Sequence, residues 1–207
     1  MEPIQGNVSI DAQNIMPIIK KWLYSDKDIF IREVVSNGCD AITKLRMVDS
    51  AAAQNCSIHV EVDKAARELR FIDDGVGMTE DEVKTNINQV AFSGAKSFME
   101  EYAKNEDQEN SGIIGHFGLG FYSSFMVADK VTVISKKYGS DEAWKWESEG
   151  ADGYTMTPCE RANAGTDVIM QLKADTDDEK YSRFLKTWEL QQLVRKYSDY
   201  IRYPIRM

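Results

Sequence analysis

Only three cysteines occur in 207 residues, Cys39, Cys56 and Cys159, and no two of them form a CxxC pair. That usage offers neither a zinc site nor a disulfide framework, and it suits a reducing, cytoplasmic setting. Basic residues are also in deficit. There are 25 Lys and Arg against 34 Asp and Glu, a formal net charge of -9. A nucleic-acid backbone requires clustered Lys and Arg, so the charge argues against that partner. A small phosphorylated ligand needs only a local cradle and stays open. No apolar run approaches the roughly 20 residues that span a membrane, so no membrane partner is expected. The N-terminus lacks a basic segment followed by an apolar core, so no signal peptide is expected. Internal repeats and low-complexity linkers are absent. What remains is an ordinary globular balance, 43% hydrophobic and 29% charged, in a chain long enough to bury roughly 70% of its unfolded surface.

The periodicities predict one α+β domain, with helices on one face of a mostly antiparallel sheet. Residues 12–23 repeat apolar positions in helical fashion. Ser25 with Asp28 resembles a capping box that opens a helix over 26–47. "SIHVEV" (57–62) and "LRFID" (69–73) flank the turn "DKAARE" as a hairpin. Thr79 with Glu82 is a capping box for a helix to about Val90. "KVTVISKKY", "AWKWESE", "GYTMTPC" and "GTDVIMQLK" predict a four-strand antiparallel meander. Thr176 and Glu179 then cap a last helix over 177–200, with Phe184, Leu185, Trp188, Leu190, Leu193, Val194 and Tyr197 as its apolar content. "YPIRM" leaves it extended, since Tyr203 precedes a proline.

The 26–47 helix carries an anomaly, because Asn37 and Gly38 are poor interior helix formers. At 3.6 residues per turn, Ile31, Val35, Gly38, Ile42 and Leu45 form one stripe. Glu33, Asn37, Asp40 and Lys44 form a second about half a turn away. A charged stripe is usually a wet outer face. Against that, Phe30, Val34 and Ala41 widen the apolar region, and Asn37 costs helix stability where Lys or Glu would serve a wet face better.

Two glycine motifs accompany this helix. "DDGVGM" (73–78) ends a strand, and Gly75 and Gly77 permit close approach and unusual backbone angles there. "GHFGLGFYSS" (115–124) is Gly-x-x-Gly-x-Gly leading into a helix-compatible segment, and backbone N–H groups in such a loop bind phosphate. Its glycine order is not that of a dinucleotide fingerprint, and "GAKS" (94–97) lacks the rest of a P-loop.

Taken together, "REVVSNGCDA", "DDGVGM", "SGAKSF" and "GHFGLGFYSSFMVADKV", in this order and spacing, closely resemble the N-terminal ATP-binding domain of the heat-shock protein 90 chaperones, most nearly the bacterial form. The resemblance runs from about Asn14 to the end. It implies a two-layer α/β sandwich, with helices packed on one face of a curved, mostly antiparallel sheet (the Bergerat or GHKL ATPase fold). That fold is shared with type II topoisomerases, mismatch-repair MutL proteins and histidine kinases. Neither a phosphoacceptor-histidine helix nor a DNA-facing basic surface is visible, and "GFYSS" favours the chaperones.

The resemblance implies roles residue by residue. Glu33 orients and activates the attacking water, and Arg32 restrains Glu33 by an ion pair. Asn37 binds magnesium. Asp40, Ala41 and Lys44 line the nucleotide pocket. Asp73 accepts from adenine's exocyclic amine, and Thr166 supports it through water. Gly77 and Met78 wall the base, and Asn86 lies near ribose and phosphates. Gly115, Gly118, Leu119, Gly120 and Phe121 face the phosphates, and residues 93–117 form a lid. Phe92 and Ala95 depart from the family pattern just before and within that lid. The resemblance also implies ATP and ADP as ligands with Mg2+, slow hydrolysis by residues 1–207 alone, and middle and C-terminal domains outside this chain. It further implies unfolded client proteins, a homodimer in the full-length protein, and a pocket of the kind that ansamycin-type inhibitors occupy. The competing expectations are an ATPase or kinase domain of another GHKL member, of the histidine kinase, topoisomerase or MutL type, and a nucleotide sensor without turnover.

Overall fold

Alternating inward residues build the sheet. Leu69, Phe71 and Asp73 are buried while Arg70 and Ile72 between them are only partly so, and the same holds for Val131 and Val133 around Thr132. The computed structural model describes residues 27–88, 120–150 and 153–207. The helix over 12–23, the lid over 93–117, Phe92, and Gly115, Gly118 and Leu119 all lie outside the described residues.

Strands β1 (Ile58–Asp63) and β2 (Glu68–Asp73) form the expected hairpin, in register from Ile58 opposite Asp73 to Asp63 opposite Glu68. Four more strands follow: β3 (Ala128–Lys136), β4 (Ala143–Ser148), β5 (Thr155–Cys159) and β6 (Gly165–Leu172). The short β7 (Ile205–Arg206) completes a seven-stranded sheet in the order β5-β4-β3-β6-β2-β1-β7. All pairings are antiparallel except β1 with β7. The meander therefore has three strands and not four. β6 leaves the β5 edge and inserts between β3 and β2, where Thr166, Met170 and Leu172 are buried on the inner face.

On that face lies α1 (Ile29–Val48). Ile31, Val35 and Ile42 are wholly buried and Leu45 nearly so, so the apolar stripe is the core face. Phe30 sits edge-to-face on Phe71 at 6.4 Å and on Phe184 at 5.1 Å between ring centroids, joining helix, sheet and C-terminal segment. The described helix begins at Ile29, and Ser25 of the expected capping box lies outside the described residues; Asp28, just before the helix, pairs with Arg183. Helix α2 (Glu80–Asn88) carries the expected box: Thr79 N–H donates to Glu82 Oε2 at 2.8 Å, and Glu82 N–H to Thr79 Oγ1 at 3.3 Å.

The last helix is divided. Glu179 N–H does donate to Thr176 Oγ1 at 3.1 Å, but the chain then forms a 3-10 turn (Tyr181–Leu185), an extended link at Lys186, and α3 (Thr187–Tyr197). The break lets Tyr181, Phe184 and Leu185 enter the core from one side while Leu190 and Val194 enter from another. Trp188 falls outside that face and is 60% exposed. The C-terminal segment is tied back to α1 by Ser36–Tyr200 and Thr43–Tyr203 hydroxyl contacts of 2.9 and 3.2 Å.

Candidate functional site

Helix α1 reaches the sheet where β2 stops, and glycines permit the contact. A β-carbon on Gly38 would lie 3.3 Å from Ile58 and 3.4 Å from Asp73 Cβ. One on Gly75 would lie 2.5 Å from Ala41 and 2.7 Å from Asp73 Oδ1. Any larger side chain at Gly75 would push the helix off the strand end. Segment 75–78 is laced across the gap: Val76 N–H donates to Ala41 O at 3.0 Å, and Tyr138 N–H to Val76 O at 2.8 Å. Gly77 adopts a left-handed φ of 62°, and a β-carbon there would overlap the Lys136 carbonyl.

Asp73, the last residue of β2, is 8% exposed. Among the described residues the only donor to its carboxylate is Gly75 N–H, which reaches Oδ1 at 2.9 Å. Oδ2 is not among the fully buried atoms that lack a partner, so it opens at the strand end and keeps its accepting capacity. Burial pushes Asp73 up from 3.8 to about 7, partly offset by Gly75 N–H and by the Arg161 charge. Thr166 is its cross-strand neighbour on β6.

Behind these two sits Ser135, fully buried on β3. Its Oγ accepts from Met78 N–H at 2.9 Å, lies 2.9 Å from Thr166 Oγ1, and donates to Gly165 O at 3.2 Å. The sequence reading missed Ser135. The available signal was a hydroxyl at the third inward position of "VTVIS", after Val131 and Val133. Arg161 was missed as well: it pairs with Asp167 at 2.8 Å and donates to the Asp73 carbonyl at 3.3 Å, clamping the strand end.

On α1, Glu33 Oε1 accepts both Arg32 Nε (3.0 Å) and Nη2 (2.6 Å). Its Oε2 faces Gly120, the first residue of a 3-10 helix (Gly120–Met126), and a β-carbon on Gly120 would collide with that oxygen. Asn37, one turn on, is exposed, whereas Asp40 is buried. Burial lowers the pKa of Lys44, against the opposing pull of Asp40. Asn86 lies beside Met78, its Nδ2 3.9 Å from Sδ. The Phe121 ring packs on Trp146 at 5.6 Å, so what this residue offers a ligand is its backbone.

The residues present fit an adenine nucleotide with magnesium. A buried carboxylate with an unused oxygen suits an amine donor. Gly75 and Gly120 let the strand end and the 3-10 helix close against Ala41 and Glu33, which a β-carbon would prevent. A single amide oxygen, Asn37, suits a Mg2+ that keeps waters and phosphate oxygens as its other ligands. Asp73, Gly77, Met78, Asn86 and Thr166 are gathered at one end of the sheet, with Ala41 and Gly38 of α1 against them. Glu33, on the same helix α1, meets Gly120 at the start of the 3-10 helix.

Residues 29–176 match the family described as histidine kinase-, DNA gyrase B-, and HSP90-like ATPase. Over 203 residues the chain is 45% identical to chaperone protein HtpG of Bacillus subtilis (strain 168) and 46% identical to that of Natranaerobius thermophilus. Each alignment covers 95% of this chain and 32% of the relative, so the chain spans about a third of their length. The family match spans α1, the glycine-lined strand end and most of the sheet, and the chain therefore belongs to the histidine kinase-, DNA gyrase B- and HSP90-like ATPases, as an ATP-binding domain.

Proposed function

We propose that residues 1–207 form the nucleotide-binding domain of a molecular chaperone, which binds ATP and ADP with Mg2+ and hydrolyses ATP slowly on its own. The observation that best supports this reading is Asp73: a buried carboxylate with one oxygen unpaired, at the point where α1 meets the sheet. Its Oδ2 accepts the exocyclic amine of adenine, and a base lacking that donor leaves it unpaired and is discriminated against. Thr166 and Ser135 hold the strand ends and Met78 behind the base. Glu33 holds the attacking water through Oε2 and takes its proton, while Arg32 occupies Oε1 and fixes the rotamer. Asn37 holds Mg2+, which when bound neutralises charge on the phosphates. Asp40 and Lys44 extend the polar wall. Gly120 and Phe121 offer backbone N–H groups to the phosphates, a role the resemblance extends to Gly115, Gly118 and Leu119.

In the whole protein this domain serves a homodimer that acts on unfolded client proteins in the cytoplasm, and its pocket admits inhibitors of the ansamycin type. Among the described residues no helix is long and apolar enough to cross a membrane.

A Glu33→Ala variant tests the assignment, in this chain and in a version extended to the length of its relatives. ATP turnover falls by about 100-fold or more, while ADP affinity by calorimetry stays within a few-fold. Unchanged turnover removes the general-base role.

A further inference from the structure

A hollow of about 500 Å3 opens beside the C-terminal end of α1 and shares no lining residue with the nucleotide site. Arg46, Arg202 and Arg206 line it, with Ser50, Gln54 and Asn55, and no Asp or Glu does. Elsewhere Arg32, Arg67, Arg70, Arg161 and Arg183 each pair with a carboxylate, and Arg195 on α3 does not. Among the described residues, the side chains of Arg46, Arg202 and Arg206 have no ion pair or hydrogen bond. In a chain of net charge -9, three unpaired guanidiniums around one hollow are the reverse of what solvation and the abundance of carboxylates would produce.

The placement is set by the fold. Arg46 sits in the last turn of α1, where a cation complements the helix dipole. That accounts for one arginine and leaves two. The chain bends at Tyr203 just before β7, and Arg202, Tyr203, Pro204 and Arg206 all line the hollow. Pairing of Ile205 with Ile58, and the bond from Ile58 N–H to Pro204 O at 2.9 Å, hold that segment against the hollow. Guanidinium forks match phosphate oxygens bidentately. A hydroxyl and two amides add neutral donors, and the volume lies within the roughly 300–1,000 Å3 of small-ligand sites. The cavity is larger than one phosphate requires.

We propose that this hollow is a second anion site, for a small molecule carrying two or more linked phosphates, bound by Arg46, Arg202 and Arg206.

The probe is pyrophosphate, titrated into the 15N-labelled chain at constant ionic strength and followed by amide shifts. Local shifts separate this hollow from the glycine-lined site, so the result stands whether or not the nucleotide assignment does. Saturable shifts at residues 53–56 and 202–206 are expected. Arg46→Gln with Arg206→Gln weakens that binding at least tenfold, with the thermal midpoint of the ligand-free chain unchanged. Arg46→Lys with Arg206→Lys, which keeps the charge and loses the fork, gives an intermediate loss. Shifts confined to residues 73–78, a response matched by sodium chloride, or equal affinity in the glutamine variant overturns the proposal.

Discussion

Replacing Asp73 by Asn separates two quantities that the site sets against each other. Burial raises the Asp73 carboxyl from 3.8 to about 7. Each unit is about 1.4 kcal/mol, so the ionised form costs the folded chain about 4 kcal/mol. Between those two pH values the folded chain holds a proton that the unfolded chain has released. The contribution is therefore fully present at the acid end and is lost as pH rises through 7. Of the total, about 3 kcal/mol falls between pH 5 and 8. Asn does not titrate, and its Oδ1 still accepts from Gly75 N–H. Its Nδ2, however, presents a donor where adenine also presents one. In urea denaturation of the nucleotide-free chain, the variant should gain about 3 kcal/mol on the wild type from pH 5 to 8. In calorimetry, ADP affinity should fall by about 100-fold or more, as expected when a charged acceptor is lost. Wild-type affinity should rise with pH and level off above 7, while that of the variant stays flat. Parallel stability profiles, or unaltered ADP affinity, would refute the reasoning.

Two further perturbations act on the same strand end. Ser135→Ala removes the acceptor of Met78 N–H and the partner of Thr166, so thermal or urea unfolding should show a loss of about 1–3 kcal/mol, with ADP affinity reduced only a few-fold. Gly77→Ala puts a side chain at a φ of 62° and into the Lys136 carbonyl. It should be destabilising by more than the roughly 1 kcal/mol of an ordinary glycine replacement, and a Tm equal to wild type would count against the close approach.

Much of this arrangement is legible in the sequence because it is local. The apolar stripe of α1, the β1–β2 hairpin and the Thr79–Glu82 box each depend on residues within a turn or two. Long-range partners were not legible. Periodicity marks "GTDVIMQLK" as a strand without saying which strand it joins, hence the four-strand meander. A signal was present in Pro158: a proline cannot donate to a ladder and favours an edge strand. With β5 at the edge and β4 on its one side, β6 had to pair elsewhere. The divided last helix has a similar cause. Core demand from Phe30 on Phe184 overrides helix propensity around Lys186. Ser135 was hidden because a serine in a strand reads as surface until its neighbours are known to face inward.

Crystals grown with a non-hydrolysable ATP analogue and magnesium test the central claim most directly. The account predicts the adenine amine on Asp73 Oδ2, the metal on the Asn37 oxygen and a water on Glu33 Oε2. An analogue bound away from all three side chains, or with its base turned from Asp73, contradicts it.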